Sequence, residues 1–100
     1  MEIRTKKEGN NVEISLIGRL DTQASPDFEN VIASLADERD LNIVLDIADM
    51  EYISSSGVRC FVLLLRSAKA GGSTLEVKNM RPEIREIFDM TGLSKVFGLN

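Results

Sequence analysis

The chain has 100 residues, 43% hydrophobic and 28% charged, which suits one compact domain with a core but not two. Its net charge of −4 disfavours nucleic-acid binding, no apolar run approaches the roughly 18 residues of a membrane span, and no signal-peptide pattern follows Met1. With no histidine and one cysteine, Cys60, the chain cannot form a Ser/His or Cys/His nucleophile pair, a histidine metal site or an internal disulfide. We therefore expect a cytoplasmic protein that binds no nucleic acid directly, does not insert into a membrane and needs no cofactor.

The chain opens with a predicted hairpin. Residues 2–8 are expected to form an edge strand, in which the consecutive Lys6 and Lys7 discourage edge-to-edge association. Residues 9–11 predict a turn. Residues 12–17 alternate with period two and predict a second strand. One face of that strand carries Val12, Ile14 and Leu16. Residues 18–22 are expected to form a loop.

A helix and a central strand are predicted next. The helix begins near Ser25, with Pro26 at the first helical position. Its apolar stripe consists of Phe28, Val31, Ile32 and Leu35. Residues 41–47 form a β-rich run that predicts a central strand buried on both faces.

The second predicted helix, residues 56–70, is apolar around much of its circumference. One stripe contains Val58, Phe61, Val62 and Leu65, and the apolar surface is extended by Cys60, Leu63 and Leu64. Such a helix is either deeply buried or partly covered by a partner, and burial is the simpler explanation. Gly71-Gly72 is expected to end the helix, since it lacks the spacing of a phosphate-binding loop.

The remaining residues predict a strand and two helical segments. Residues 73–78 alternate cleanly, and Pro82 opens a third helix. One face of this helix carries Ile84, Ile87, Phe88 and Thr91. Residues 92–97 predict a closing helical turn packed back on the sheet. The order β-β-α-β-α-β-α predicts an α/β domain with a mixed four-stranded sheet, whose right-handed crossovers make parallel pairs.

Three consecutive serines, Ser54 to Ser56, stand where a loop enters the second helix. Serine is a preferred N-cap residue, so capping is the default interpretation. A phosphate would also be accommodated at a helix N-terminus, while adding roughly −1.5 to −2 charges to a surface that binds a partner. Arg59 could steer a phosphate or pair with a partner's carboxylate, or simply be exposed. If the strands before the serines and before Asp21 are neighbours, both loops share one surface.

Several motifs together resemble one family. Residues 18–21 resemble its G-x-L-D sequence, and residues 43–47 followed by 52–57 resemble its strand and phosphorylation loop. Residues 71–72 and 88–93 resemble its later signature. In this order and spacing they make the whole chain, residues 1–100, similar to STAS domains, and among these to the anti-sigma factor antagonists of bacteria.

The resemblance implies a function. An antagonist of this type is not an enzyme: it binds an anti-sigma factor that is also a serine kinase, and so frees a sigma factor. The kinase then phosphorylates a loop serine and the complex dissociates. In the family motif D-S-S-G the modified serine precedes glycine, which corresponds to Ser56 here, with Ser55 as second choice. The free antagonist is expected to be a monomer.

The chain departs from the motif at Ser54, which replaces the family's aspartate and removes one negative charge. The expected partner-binding residues are Asp21, Thr22, Ser54, Ser55, Ser56, Gly57 and Arg59. The alternative hypothesis is a STAS accessory subunit of an ABC lipid transport system, docked on an ATPase subunit without a phosphorylation cycle. An enzyme or small-molecule receptor is a third hypothesis, which no recognised nucleotide loop or metal cluster supports.

Overall fold

The computed structural model describes residues 1–99, whose elements form a sheet covered by helices. In chain order they are β1 (Glu2–Glu8), β2 (Asn11–Leu20), α1 (Ser25–Leu35), β3 (Asn42–Asp46), β4 (Met50–Ile53), α2 (Ser55–Ala70), β5 (Thr74–Lys78), α3 (Pro82–Thr91) and α4 (Leu93–Val96). The sheet follows the order β1-β2-β3-β5, and β4 pairs with the end of β2. β1 and β2 are antiparallel, whereas the pairs β2–β3, β3–β5 and β2–β4 are parallel. The predicted mixed α/β fold is confirmed, with five strands among the described residues instead of four.

The β1–β2 hairpin has the predicted strands and turn, but β2 is longer than expected. Gly9 adopts a φ of +59° in the turn, a conformation that glycine tolerates well. The prediction of a loop over residues 18–22 is wrong for its first three residues, since β2 continues to Leu20. A register shift between Gly18 and Arg19 lets this extension pair with β4.

β4 is the element that the sequence pattern did not predict. Its four residues, Met50–Ile53, are buried only at the two ends, so they lack the alternation that marks a strand. The strand is held by its parallel pairing with β2, which joins Arg19 to Tyr52 and Leu20 to Ile53. Such pairing depends on residues about thirty positions away, and no local periodicity reveals it.

The core lies between the helices and one face of the sheet. In β3, Ile43 and Leu45 are buried, whereas Val44 and Asp46 are only half-buried. The prediction that this strand is buried on both faces is therefore wrong. On the opposite face Val44 and Glu13 line a shallow surface depression, so this part of the sheet is open to solvent.

α1 buries residues of its predicted apolar stripe, whereas the buried face of α2 is rotated about the helix axis from the predicted one. In α1, Phe28 and Ile32 are buried and the other two stripe residues are half-buried. The buried residues of α2 are Gly57, Cys60, Phe61, Leu64 and Ala68. The predicted stripe is thus off-centre: it shares only Phe61 with this set, because the apolar residues of α2 extend well beyond its buried face, as far as the exposed Leu63. Leu63 is 46% exposed, so the helix is not fully buried.

Aromatic side chains join the helices. Phe61 on α2 contacts Phe28 with ring centroids 5.8 Å apart and Phe88 at 5.4 Å, both edge to face. Phe97 follows α4 and contacts Phe88 at 6.0 Å. The predicted closing turn is helical, but the prediction that it packs on the sheet is wrong: α4 packs chiefly against α3 and α2, with Leu93 buried in the core.

Candidate functional site

β2 and β4 end side by side, and this places two loops at one edge of the sheet. Leu20 is the register partner of Ile53, and the Ser54 amide donates a hydrogen bond to the Leu20 carbonyl at 2.8 Å. The Asp21 turn and the serine loop leave these two strands directly. The expectation that both loops share one surface is confirmed, and β4 is the strand that brings them together.

Ser54 is the N-cap of α2. Its backbone is extended, and its hydroxyl oxygen accepts a hydrogen bond from the Gly57 amide at 3.1 Å. The Ser54 carbonyl also accepts the Val58 amide at 2.9 Å, the first bond of the helical ladder. The capping interpretation is therefore confirmed for Ser54, which is only 8% exposed. Serine here fulfils the capping role that an aspartate could also fill, without its charge.

Ser55 and Ser56 occupy the first two helical positions and differ from Ser54. Ser55 is exposed and Ser56 is half-buried. Within residues 1–99 neither hydroxyl takes part in a side-chain hydrogen bond. Their amides belong to the first turn, where helix geometry provides no acceptor. Two hydroxyls and two N–H groups thus lie together at the positive end of the helix dipole.

Gly57 lets the first turn of α2 rest directly on the ends of β2 and β4. A Cβ atom at this position would lie 2.8 Å from Leu20 Cγ and 2.9 Å from Ile53 Cγ1, closer than real contacts allow. The glycine therefore sets the distance between the helix start and the sheet.

Asp21 organises the turn that precedes α1. Its Oδ1 atom accepts the Ala24 amide at 2.9 Å, and its carbonyl accepts both the amide and the hydroxyl of Ser25. The Asp21 residue is half-buried and Thr22 beside it is exposed. A cap-like structural role is therefore present for Asp21, and the turn still presents Thr22 to solvent.

The comparisons with known proteins agree with this geometry. A family model described as the STAS domain matches residues 2–100. The chain belongs to the STAS domain family. It is 26% identical over 101 aligned positions to the anti-sigma-B factor antagonist of Bacillus subtilis (strain 168), an alignment that covers all of this chain and 91% of that relative.

Solved structures of STAS proteins share the fold. The anti-sigma factor antagonist SpoIIAA in its unphosphorylated form is similar with a TM-score of 0.73 and 19% identity, over 98% of this chain and all of that one. The Bacillus cell fate determinant SpoIIAA in the phosphorylated form gives 0.76 and 22%, over 94% of this chain and 86% of that one. At these identities the likeness establishes the fold.

This STAS domain carries one exposed pair that sequence reasoning missed. The Arg19 guanidinium lies over the Tyr52 ring, 4.3 Å from its centroid. The two residues are register partners in β2 and β4, so only the β4 pairing brings them together. The sequence signal that could have drawn attention to the pair is that Tyr52 is the chain's one tyrosine.

Arg59, which was predicted to bind the partner, lies one turn into α2 and is exposed.

Cys60 lies behind this surface and serves the core. Burial, followed by the charge of Glu29, raises the pKa of its thiol, so the thiol stays protonated. Its sulfur donates to the Ser25 carbonyl at 3.7 Å, between α1 and α2. Within residues 1–99 no group of three or more acidic or cysteine side chains converges as metal ligands, and no helix is long and apolar enough to cross a membrane.

Proposed function

We propose that this STAS domain is a cytoplasmic anti-sigma factor antagonist, which binds an anti-sigma factor and so frees a sigma factor. The support is the antagonist function of the relatives together with the surface where β2 and β4 end. We call this the switch surface: Thr22, Ser55 and Arg59 are exposed on it, Asp21 and Ser56 are half-buried, and Ser54 and Gly57, also expected to bind the partner, are buried and support it from below.

The partner in this proposal is also a serine kinase, and its target is Ser56, with Ser55 as the second candidate. The observation that carries this step is the first turn of α2, where two serine hydroxyls without a partner among residues 1–99 accompany the free amides. The amides and the helix dipole stabilise a phosphate. Because Ser54 caps the helix without charge, a phosphate there meets no aspartate at the N-cap.

The same phosphate ends the complex by changing the charge of the switch surface. It adds roughly −1.5 to −2 charges, which a partner surface built for a neutral hydroxyl does not compensate. A thousandfold loss of affinity needs only about 4 kcal/mol, well within the desolvation and repulsion of a phosphate at an interface. The domain does not need to refold, and its similarity to both forms of SpoIIAA is consistent with this.

Titration calorimetry with a purified anti-sigma factor kinase of the host bacterium tests the proposal. The unmodified chain should bind, and Ser56→Asp should weaken binding by about 100-fold, the cost of one unpaired charge at an interface. Ser34→Asp is the matched control, since Ser34 is exposed on α1 away from the switch surface. Unchanged binding of both Ser56→Asp and Ser55→Asp would contradict the switch.

The transporter alternative has a separate signature. An accessory subunit of an ABC lipid transport system would co-purify with an ATPase subunit instead of an anti-sigma factor kinase, and its loop serines would carry no phosphate. Sedimentation of the free chain tests the proposed monomer. If the chain associates with itself, the exposed apolar side chain of Leu63 on α2 is a candidate contact.

A further inference from the structure

The exposed Arg19–Tyr52 pair adjoins the switch surface without belonging to it. Arg19 precedes Leu20, whose carbonyl accepts the Ser54 amide, and Tyr52 lies two residues before Ser54. Leu20 and Ile53 turn into the core, whereas Arg19 is exposed and Tyr52 is 37% exposed. A partner that covers the start of α2 therefore finds this pair at the edge of its footprint.

The charge of Arg19 has no carboxylate beside it. Within residues 1–99, five ion pairs involve the basic residues Arg4, Lys6, Lys7, Arg81 and Arg85, and none involves Arg19. Arg19 also donates no side-chain hydrogen bond in this part of the chain; its described contact is the Tyr52 ring. An exposed aromatic ring thus holds a cation in place and leaves its donors unused.

This position over the ring prepares Arg19 to recognise a planar anion. A guanidinium that lies on a ring face keeps its N–H groups in its own plane, free to form two parallel hydrogen bonds. A carboxylate matches that pair of donors. Because the ring already restricts the long arginine side chain, less entropy is lost when the bonds form. Tyrosine and arginine are also residue types enriched where interfaces are strongest.

We infer that Arg19 and Tyr52 form a specificity determinant that selects a partner presenting an aspartate or glutamate next to the loop serines. This inference rests on the proposed function, since the partner is the anti-sigma factor that covers the switch surface. The net charge of −4 disfavours a polyanion as the occupant and favours a single carboxylate set among neutral or basic groups. Tyr52 orients the guanidinium, and Arg19 makes the contact.

Charge variants test the contact through binding to the purified anti-sigma factor. Arg19→Glu should weaken binding by about 100-fold, because it places two carboxylates against each other. Arg19→Lys should weaken binding less, since an ammonium keeps the charge but lacks the two parallel N–H donors of the guanidinium. Tyr52→Phe should bind nearly as the wild type, because the ring remains. Arg66→Glu, an equal charge change at an exposed position farther along α2, is the control and should have little effect.

The single tyrosine provides a direct readout of the contact. Biosynthetic 3-fluorotyrosine labels Tyr52 alone, so one 19F resonance reports on this position. It should shift when the anti-sigma factor is added to saturation. An unshifted resonance in a complex that sedimentation demonstrates, with Arg19→Glu binding like Arg66→Glu, would overturn the inference and leave the proposed function standing. If the wild-type chain forms no complex with the anti-sigma factor, both fail.

Discussion

The starts of α1 and α2 lie at the same edge of the sheet, yet they are built differently. α1 has Ala24 at its N-cap without a side-chain cap, and its first turn carries Asp27 close after the Asp21 turn. α2 has the Ser54 cap but no acidic residue in its first turn. A carboxylate therefore already compensates the positive end of the α1 dipole. At the start of α2 the first turn carries neutral serines and no such charge. The difference assigns α1 a structural start and α2 a start able to accept a phosphate.

The largest expected effect concerns the contact of α2 with the sheet. Gly57→Ala should lower the free energy of unfolding by about 1–3 kcal/mol, because the new methyl group collides with Leu20 and Ile53. Urea denaturation measures the change, and Ser56→Ala, one residue earlier, should stay within about 0.5 kcal/mol. A Gly57→Ala protein more stable than the wild type, as alanine gives in an unconstrained helix, would show that the start of α2 is not fixed by this contact.

The next effect concerns the cap itself. Ser54→Ala should cost about 1 kcal/mol of unfolding free energy, because the Gly57 amide loses its acceptor. Ser54→Asp should keep the cap and raise stability by about 0.3–1 kcal/mol through the helix dipole. Thermal and urea unfolding of the two variants measure both changes. If Ser54→Ala were as stable as the wild type, the Ser54 cap would not distinguish the start of α2 from that of α1.

A smaller effect is expected at the start of α1. Asp27→Asn should lower the unfolding free energy by about 0.3–1 kcal/mol, since it removes the carboxylate that compensates the dipole. Asp37→Asn is the matched control just beyond the end of α1, where a negative charge does not help, and it should be neutral or slightly stabilising. If the two substitutions behave alike, the dipole does not distinguish the helix ends.

The smallest effect lies where α3 meets α4, away from both starts. The hydrogen bond from the Ser94 hydroxyl, followed by that from Arg85, lowers the pKa of the Asp89 carboxyl. A carboxyl with a lowered folded-state pKa adds stability that is complete above its unfolded pKa and is lost as the pH falls through the folded value. Asp89→Asn should therefore reduce the urea midpoint near neutral pH and have less effect in acid. An equal reduction at both would contradict this.

Local patterns predicted much of the fold, because many elements reveal themselves through their own periodicity. The stripe of α1, the alternation of β2 and the glycines after α2 each depend on neighbouring residues. β4 could not be found this way, since it is four residues long and is held by its pairing with β2. The buried face of α2 was misplaced because the apolar residues of this helix extend beyond the face that packs on the core.

In the candidate site, too, local features could be predicted from the sequence, whereas features that depend on strand pairing could not. The serine triplet marked a helix start in the sequence, and the structure assigns the cap to Ser54. The Arg19–Tyr52 pair was missed because it exists only through the register of β2 and β4. Residues that act together across strands need the pairing first, and sequence alone does not provide it.

Fragmentation mass spectrometry of the chain purified from its native host tests the central claim most directly. Trypsin releases residues 40–59 as one peptide that holds all three loop serines. We expect a phosphate on Ser56 under the conditions in which the sigma factor is held inactive, and a phosphate on Ser55 would keep the mechanism while correcting the site. A peptide that stays unmodified through growth and stress would contradict the phosphorylation switch.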